Sequence, residues 1–418
     1  MDLSTAQNIL VIGGGQAAAQ AIASLRQWGY EGGIRLIADE EALPYQRPPL
    51  SKAYLKGEMD EERLYFKPAD WYEAQNVEVS LGVRADTIDR ASRTVNLSHG
   101  DPAPYDALIL ATGSRPRRLP FAEAMLENVH ELRDLRDVDG LKSQVTAGKN
   151  MVIVGAGYIG LEAAAVARQL GANVTVLEMA PRVLARVTSP VMSAFYTKLH
   201  TDNGVRILTD TRLQALDGDE TRVHAARLDD GTPIPADSVL VGIGILPNQE
   251  LAAEAGIACD TEAGGGILVD EDARTNDPRI FACGDCAVRP LIHYGRVGRL
   301  ESVHNAIEQG KLAAAAILGR ERPRLDVPWF WSDQYDVKLQ IAGLSQNYDH
   351  HIVRGDPASG SFAVFYFRAN RLIAVDAVNA APEFIVTKKL IISGQTLAPG
   401  ELQDTSVSMK DLAARAAV

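Results

Sequence analysis

A chain of 418 residues with 46% apolar side chains holds enough material for two or three domains, each with its own core. The formal net charge of −12, with no local block of Lys or Arg, excludes the basic face that a nucleic-acid backbone or an anionic membrane surface requires. The opening MDLSTAQNILVIGGG has no basic segment before an apolar run that breaks at glycines, so neither a signal peptide nor a membrane anchor fits, and a cytoplasmic location is expected.

Three cysteines give no disulfide framework, and eight scattered histidines supply no closed zinc site, so no metal is expected. Cys259 stands alone. Cys283 and Cys286, in FACGDC, have redox-motif spacing and need the rest of the chain to interpret them. The adjacent His350 and His351 read as solvated.

In chain order, ILVIGGGQAAAQAIASL at 9–25 predicts a buried strand, a glycine turn and an Ala-rich helix, followed by a strand in IRLIADE at 34–40. The pattern repeats in MVIVGAGYIGLEAAAVARQL at 151–170 and NVTVLE at 173–178, giving two βαβ units. Further strands are predicted at 105–111, 205–208, 237–243 and 279–283, and a long helix at 302–319. The proline-rich, charged GRERPRLDVPW marks a boundary near residue 325. Beyond it, KLQIAGL, HHIVRG and SFAVFYFRANRLIAVDAV predict strands, the last with a turn at Ala369-Asn370, and EFIVTKKLIISG a helix. The expected fold class is α/β, with two Rossmann-like nucleotide-binding domains and a C-terminal α+β domain.

Gly13-x-Gly15-x-x-Ala18 follows a strand and opens a helix. The first glycine allows the tight turn, the second lets a pyrophosphate approach the backbone, and the third small residue lets helix and strand pack. Ala17 lies within this phosphate-facing turn. A carboxylate closing the next strand should hold a ribose; strict alignment puts Ala38 there, so Asp39 is the candidate and Glu40 the fallback. Gly155-x-Gly157-x-x-Gly160 is the fuller fingerprint, with Glu178 closing the following strand. A carboxylate there repels a 2′-phosphate and favours NAD, although Arg182 and Arg186 just beyond keep mixed use open.

Two dinucleotide units in one chain are accounted for most simply by hydride transfer from a nicotinamide to a bound flavin. TNDPRIFACGDCA resembles the second FAD motif of the glutathione-reductase-fold flavoproteins, and LILATGSRPR their crossing between FAD and NAD domains. PPLSKAYLKG, RLESVHNAIEQG and PWFWSDQYDVKLQIAGL are similar to the ferredoxin-reductase branch, of putidaredoxin reductase type, that serves haem-thiolate monooxygenases and ring-hydroxylating dioxygenases. The resemblance implies an FAD-binding domain at 1–115 and 243–324, an NAD-binding domain at 116–242 and a C-terminal reductase domain at 325–418.

It also implies roles. Asp285 accepts hydrogen bonds from the flavin ribitol. Lys52 sits beside the isoalloxazine, paired with Glu162, and steadies the negative charge of reduced flavin. Tyr158 gates the nicotinamide, Val303 offers backbone to the ring, and Trp331 covers it. Ala85 contacts the adenine, Arg133 reaches back to the FAD, and Arg47 helps to hold the pyrophosphate.

The region EALPYQRPPLSKAYLKG has no cysteine, nor do residues 116–242, so the thiol relays of disulfide reductases have no counterpart. Electrons are expected to pass from NADH through FAD to an acidic 2Fe-2S ferredoxin that serves an oxygenase. Arg296, Arg299, Lys338, Lys388, Lys389 and Lys410 are candidate docking charges. The competing readings are a flavin reductase with another acceptor (rubredoxin, quinone or oxygen) and an apoptosis-inducing-factor-like flavoprotein that binds partners. FACGDC is then expected to work through Asp285, with its two cysteines as small packing residues.

Overall fold

The computed structural model describes all residues except Met1, Asp2, Ser4, Ala263, Thr396, Ala417 and Val418. Contacts divide the chain into two compact units, the first formed by Met1–Gln46, Glu61–Arg115 and Ile245–Leu325, the second by Arg47–Asp60, Pro116–Gly244 and Asp326–Val418. Among the described residues, no helix is long and apolar enough to cross a membrane.

The first unit is built on a parallel sheet in the order Ile280–Ala282, Ala107–Leu110, Asn8–Ile12, Gly33–Ile37, Val77–Ser80. Its central strands are apolar on consecutive positions because both faces are covered. Ile9, Val11 and Ile109 join the core beneath the helices Gln16–Gln27 and Val303–Ile317, whereas Leu10, Ile12, Leu108 and Leu110 face a second core on the other side. The two helices approach closely because Gly310 has no side chain: a Cβ there would lie 2.7 Å from Ala17 O and 3.0 Å from Ala21 N.

The second unit repeats the parallel design in the order Arg206–Leu208, Asn173–Leu177, Asn150–Val154, Ser238–Val241, Val129–His130. It also contains an antiparallel sheet in the order Trp329–Gln334, Val337–Gly343, Arg371–Val378, Ser361–Arg368, His350–Asp356. Alternation divides the faces of that sheet. Phe365, Phe367, Val375 and Ala377 pack with Phe384, Leu390 and Ile391 of the helix Ala381–Ser393, leaving Tyr366 and Asp376 to the opposite face. The turn at Ala369 and Asn370 has φ of 49° and 60°, the positive values that a tight hairpin between twisted strands requires.

His350 and His351 differ from the solvated reading. Both are half-buried; His350 stacks on Phe367 at 4.8 Å and bonds Asp349, while His351 lies edge-on to Tyr348. The segment Arg47–Asp60 joins the second unit through Tyr54, Ser51 and Lys52, whose partners are Asp139 and Glu162.

Candidate functional site

Each glycine loop follows from the strand that feeds it. Gly13 has φ +112° and Gly155 φ +106°, and a Cβ at either would collide with a backbone carbonyl, Ala111 O or Gly242 O. Both turns are fastened to the next strand, Gly13 N to Ile37 O at 2.8 Å and Gly155 N to Leu177 O at 2.7 Å. Gly15 and Gly157 then cap the helices Gln16–Gln27 and Tyr158–Gln169 without any side-chain cap, and a Cβ on either would meet open space. Each loop therefore presents uncapped N–H groups and the positive end of a helix dipole to a space bare of side chains, a cradle that fits a pyrophosphate.

The third positions differ. Gly160 lies against Gly155 O, where no Cβ fits; Ala18 is accommodated and fully buried. Ala17 packs its methyl against Gly284, so what it can offer an anion is its N–H.

Glu178 directly follows the strand Asn173–Leu177. Its carboxylate accepts from Ala156 N–H and Ala180 N–H, each at 2.8 Å, which fixes it beside the glycine loop with lone pairs left for a ribose hydroxyl. Arg182 is committed internally, donating to Ser193 Oγ at 2.6 Å and Ala185 O at 2.9 Å, while Arg186 is exposed. In the first unit Ala38 is buried in the corresponding place; Glu40 accepts from the Tyr45 hydroxyl at 2.6 Å, and Asp39 is exposed.

Asp285 sits one residue past Gly284, whose φ of +86° turns the chain out of Ile280–Ala282. Ser114 Oγ donates to Asp285 Oδ2 at 2.9 Å, and Gly284 N–H donates to Gln309 Oε1 at 2.8 Å. Gln309 is fully buried and also accepts from Asn305 Nδ2, but among the described residues its Nε2 has no partner, an orphaned donor in the same unit as the first loop. These features fit a flavin dinucleotide. Val303 opens the helix Val303–Ile317, which Ser302 caps by accepting from Asn305 N–H; Ala85 opens the strand Ala85–Asp89. Cys283 and Cys286 are free and fully buried, and burial pushes both thiols up, away from the reactive thiolate.

Lys52 and Glu162 are together in the second unit, Nζ to Oε2 at 2.6 Å. Glu162 is saturated: Ser51 Oγ also donates to Oε2 at 2.5 Å, and Ser332 Oγ donates to Oε1 at 2.7 Å. Behind it, Gln334 Nε2 donates to Ser332 Oγ at 3.1 Å and Gln334 Oε1 lies 2.8 Å from His200 Nε2. Burial lowers the His200 pKa and keeps the ring neutral, so Nε2 is the protonated nitrogen that donates.

Strand alternation explains the arrangement. Ser332 and Gln334 lie two apart on one face of Trp329–Gln334, and Phe330 on the same face packs against Tyr158, ring centres 5.0 Å apart and planes tilted by 42°. Trp331 points to the other face, half-buried and 5.6 Å from Trp329. Arg47 Nη1 donates to Arg133 O at 2.7 Å, and Arg133 N–H to Asp137 Oδ2 at 2.8 Å, so these two candidates meet each other.

Two docking candidates are withdrawn. Arg299 pairs with Glu301 at 2.6 Å and donates to Asp285 O, and Lys388 is paired with Asp326 beneath Trp329; their charges are used internally. Arg296, Lys338, Lys389 and Lys410 are exposed.

The geometry therefore presents two dinucleotide cradles, a carboxylate set for each and a buried ion pair. Residues 7–310 match the family described as pyridine nucleotide-disulphide oxidoreductase. The chain belongs to this family. Residues 329–413 match the description reductase C-terminal. Putidaredoxin reductase CamA of Pseudomonas putida is 43% identical over 414 residues, 98% of this chain and 97% of the relative. The probable ferredoxin reductase CtmF of Castellaniella defragrans is 42% identical over 408 residues, 97% and 99%. The structure of the covalent putidaredoxin reductase–putidaredoxin complex superposes with a TM-score of 0.96 at 42% identity, covering 99% of both chains. The fold is accordingly the mixed α/β fold of this family with a C-terminal reductase domain.

Sequence reasoning missed Ser332, Gln334, His200, Gln309 and Ser114. The one available signal was in WFWSDQ, where small or amide side chains alternate with aromatic and acidic ones on a strand.

Proposed function

We propose that the protein is an FAD-dependent NADH:ferredoxin oxidoreductase that supplies electrons, through a 2Fe-2S ferredoxin, to a haem-thiolate monooxygenase or ring-hydroxylating dioxygenase. The observation that carries this reading is the pair of open, glycine-capped cradles in one chain whose FACGDC thiols are buried and protonated. Identity above 40% over nearly the full chain to putidaredoxin reductase supports the ferredoxin as acceptor. Residues 1–115 with 243–324 serve FAD, 116–242 serve NADH, and 325–418 form the reductase domain. The free cysteines agree with a reducing, cytoplasmic setting.

Bound FAD supplies the chemistry that side chains lack, accepting two electrons as hydride and releasing them singly. The uncapped N–H groups after Gly13 and Gly15 bind its pyrophosphate, with Asp39, Ala85, Arg47 and Arg133 toward the adenosine and phosphates. Asp285 accepts from ribitol hydroxyls, and Val303 and Trp331 border the ring. Gly155, Gly157 and Gly160 shape the NADH loop, and Glu178 accepts from a ribose hydroxyl and repels a 2′-phosphate. Lys52, oriented by Glu162, places a positive charge where electron density arrives, and Tyr158 controls access of the nicotinamide.

The test is anaerobic stopped-flow mixing with NADH and then with a 2Fe-2S ferredoxin. Rapid flavin bleaching followed by ferredoxin reduction is expected. Bleaching without transfer to any ferredoxin, but with transfer to rubredoxin, quinone or oxygen, would overturn the assigned acceptor.

A further inference from the structure

The segment that leads from Glu178 to the helix Pro190–Asp202 is held in a conformation its own side chains do not favour. Leu184, buried within it, has φ +54°, a left-handed value that a bulky residue adopts only where its surroundings impose it. The segment is moored at its start, middle and end. Glu178 accepts from Ala156 N–H and Ala180 N–H, and Arg182 donates to Ser193 Oγ and Ala185 O. At the far end Thr188, also buried, donates from Oγ1 to Asp376 Oδ2 in the C-terminal sheet.

Asp376 is fully buried on the strand Arg371–Val378, and none of the roles above uses it. Its Oδ2 also accepts from the Tyr366 hydroxyl at 2.5 Å, and Ser189 N–H donates to the Tyr366 oxygen at 3.3 Å. The two residues before the helix are therefore both fixed by this pair. A carboxylate buried at such cost is retained where it fixes one arrangement over others.

From Thr188 the hydrogen bonds run back to the glycine loop without a gap. Thr188 N–H donates to Leu184 O at 3.2 Å, Leu184 N–H to Ala156 O at 3.0 Å, and Ala156 N–H to Glu178 Oε2 at 2.8 Å. Ala156 lies between Gly155 and Gly157, so direct contacts join the buried carboxylate of the C-terminal sheet to the coenzyme cradle.

We infer that Asp376 and Thr188 are positioning residues for coenzyme binding, their hydrogen bond mooring residues 182–188 against the glycine loop and so seating Glu178 for the ribose. The inference rests on the NADH-binding reading above. The mooring bears on the ribose and pyrophosphate part of the site, so its loss weakens coenzyme binding and leaves the hydride step, once coenzyme is bound, largely as it was.

The experiment follows anaerobic flavin bleaching by NADH in the FAD-loaded enzyme, extracting the limiting rate and the apparent dissociation constant separately, and titrates ADP-ribose by calorimetry. Thr188→Val removes the hydroxyl at nearly constant shape and should raise both dissociation constants roughly tenfold, with the limiting rate within about a factor of two of wild type. Thr188→Ser keeps the hydroxyl and should bind as wild type does. Unchanged dissociation constants in a folded Thr188→Val variant, or equal weakening in Thr188→Ser, would overturn the inference. So would a fall in the limiting rate alone. Should Thr188→Val fail to fold with FAD, Asp376→Asn keeps an acceptor without its charge and should raise the same constants at least about threefold, an unchanged value again being decisive against the mooring. A wild-type flavin that NADH does not bleach would instead sink the functional reading itself.

Discussion

Glu162 accepts from three side chains at once, Lys52, Ser51 and Ser332, at distances from 2.5 to 2.7 Å. The glutamate is 4% exposed and the lysine 20%, so the pair is partly screened at its outer end. Glu162→Leu strands a lysine and two hydroxyls, and a loss of about 2–4 kcal/mol of unfolding free energy in urea is expected. Glu162→Gln keeps the shape but releases Lys52, and should slow flavin reduction by NADH at least about tenfold in stopped flow.

Ser332→Ala removes a single donor and leaves Glu162 Oε1 buried without one. A destabilisation of about 1–3 kcal/mol in the same denaturation experiment is expected. If Ser332 orients Glu162, the alanine variant should also lower the rate of flavin reduction, whereas Ser332→Thr, which keeps a hydroxyl at this position, should retain most of it.

The glycines separate shape from binding. Gly160→Ala places a methyl against Gly155 O, and poorly folded or insoluble protein is expected. Gly157→Ala meets only open space in the fold, so it should yield soluble, FAD-loaded protein with a normal melting temperature. Its KM for NADH should rise about tenfold, because the methyl occupies the cradle.

Glu178 accepts two backbone amides, of Ala156 and Ala180, and is proposed to repel a 2′-phosphate. Glu178→Gln removes the charge and retains an acceptor, so the ratio of kcat/KM for NADH over NADPH should fall by about a factor of ten. Glu178→Arg should invert selectivity further at the expense of both cofactors, since the loop amides then lose their acceptor. An unchanged ratio in both variants would remove Glu178 from its assigned role.

Burial raises Asp376 to about 6 from 3.8. The folded chain holds this proton more tightly than the unfolded one, so Asp376 contributes no penalty below about pH 4. The penalty grows as the pH rises to about 6 and is constant above, reaching about 3 kcal/mol for a shift of about two units. The stability of wild type minus that of Asp376→Asn should therefore fall by up to that amount between about pH 4 and pH 7, read by urea denaturation. A difference that rises over this window would mean that the carboxylate is held charged.

How much of this the sequence displayed depends on range. The glycine loops, Glu178 and the Gly-Asp turn at Asp285 are legible because their geometry is encoded within some twenty residues by strand, turn and helix. The hairpin turn at Ala369-Asn370 is legible for the same reason. Ser332 and Glu162 are 170 residues apart and Thr188 and Asp376 188 apart, and beyond the alternation in WFWSDQ nothing local to them names the partner that folding supplies. Arg299 and Lys388 misled because a basic residue in sequence does not reveal the carboxylate that folding brings to it.

The first unit is assembled from three separated stretches of chain, and this has a bearing on its birth at the ribosome. The strand Ile280–Ala282 completes the edge beside Ala107–Leu110, and the helix Val303–Ile317 covers Gln16–Gln27. Until residue 317 has left the exit tunnel, the nascent N-terminal sheet carries a bare hydrogen-bonding edge and an uncovered apolar helix, features that invite wrong pairing. Cofactor capture is then a late event of synthesis, and slow translation through the middle of the message would prolong dependence on chaperones.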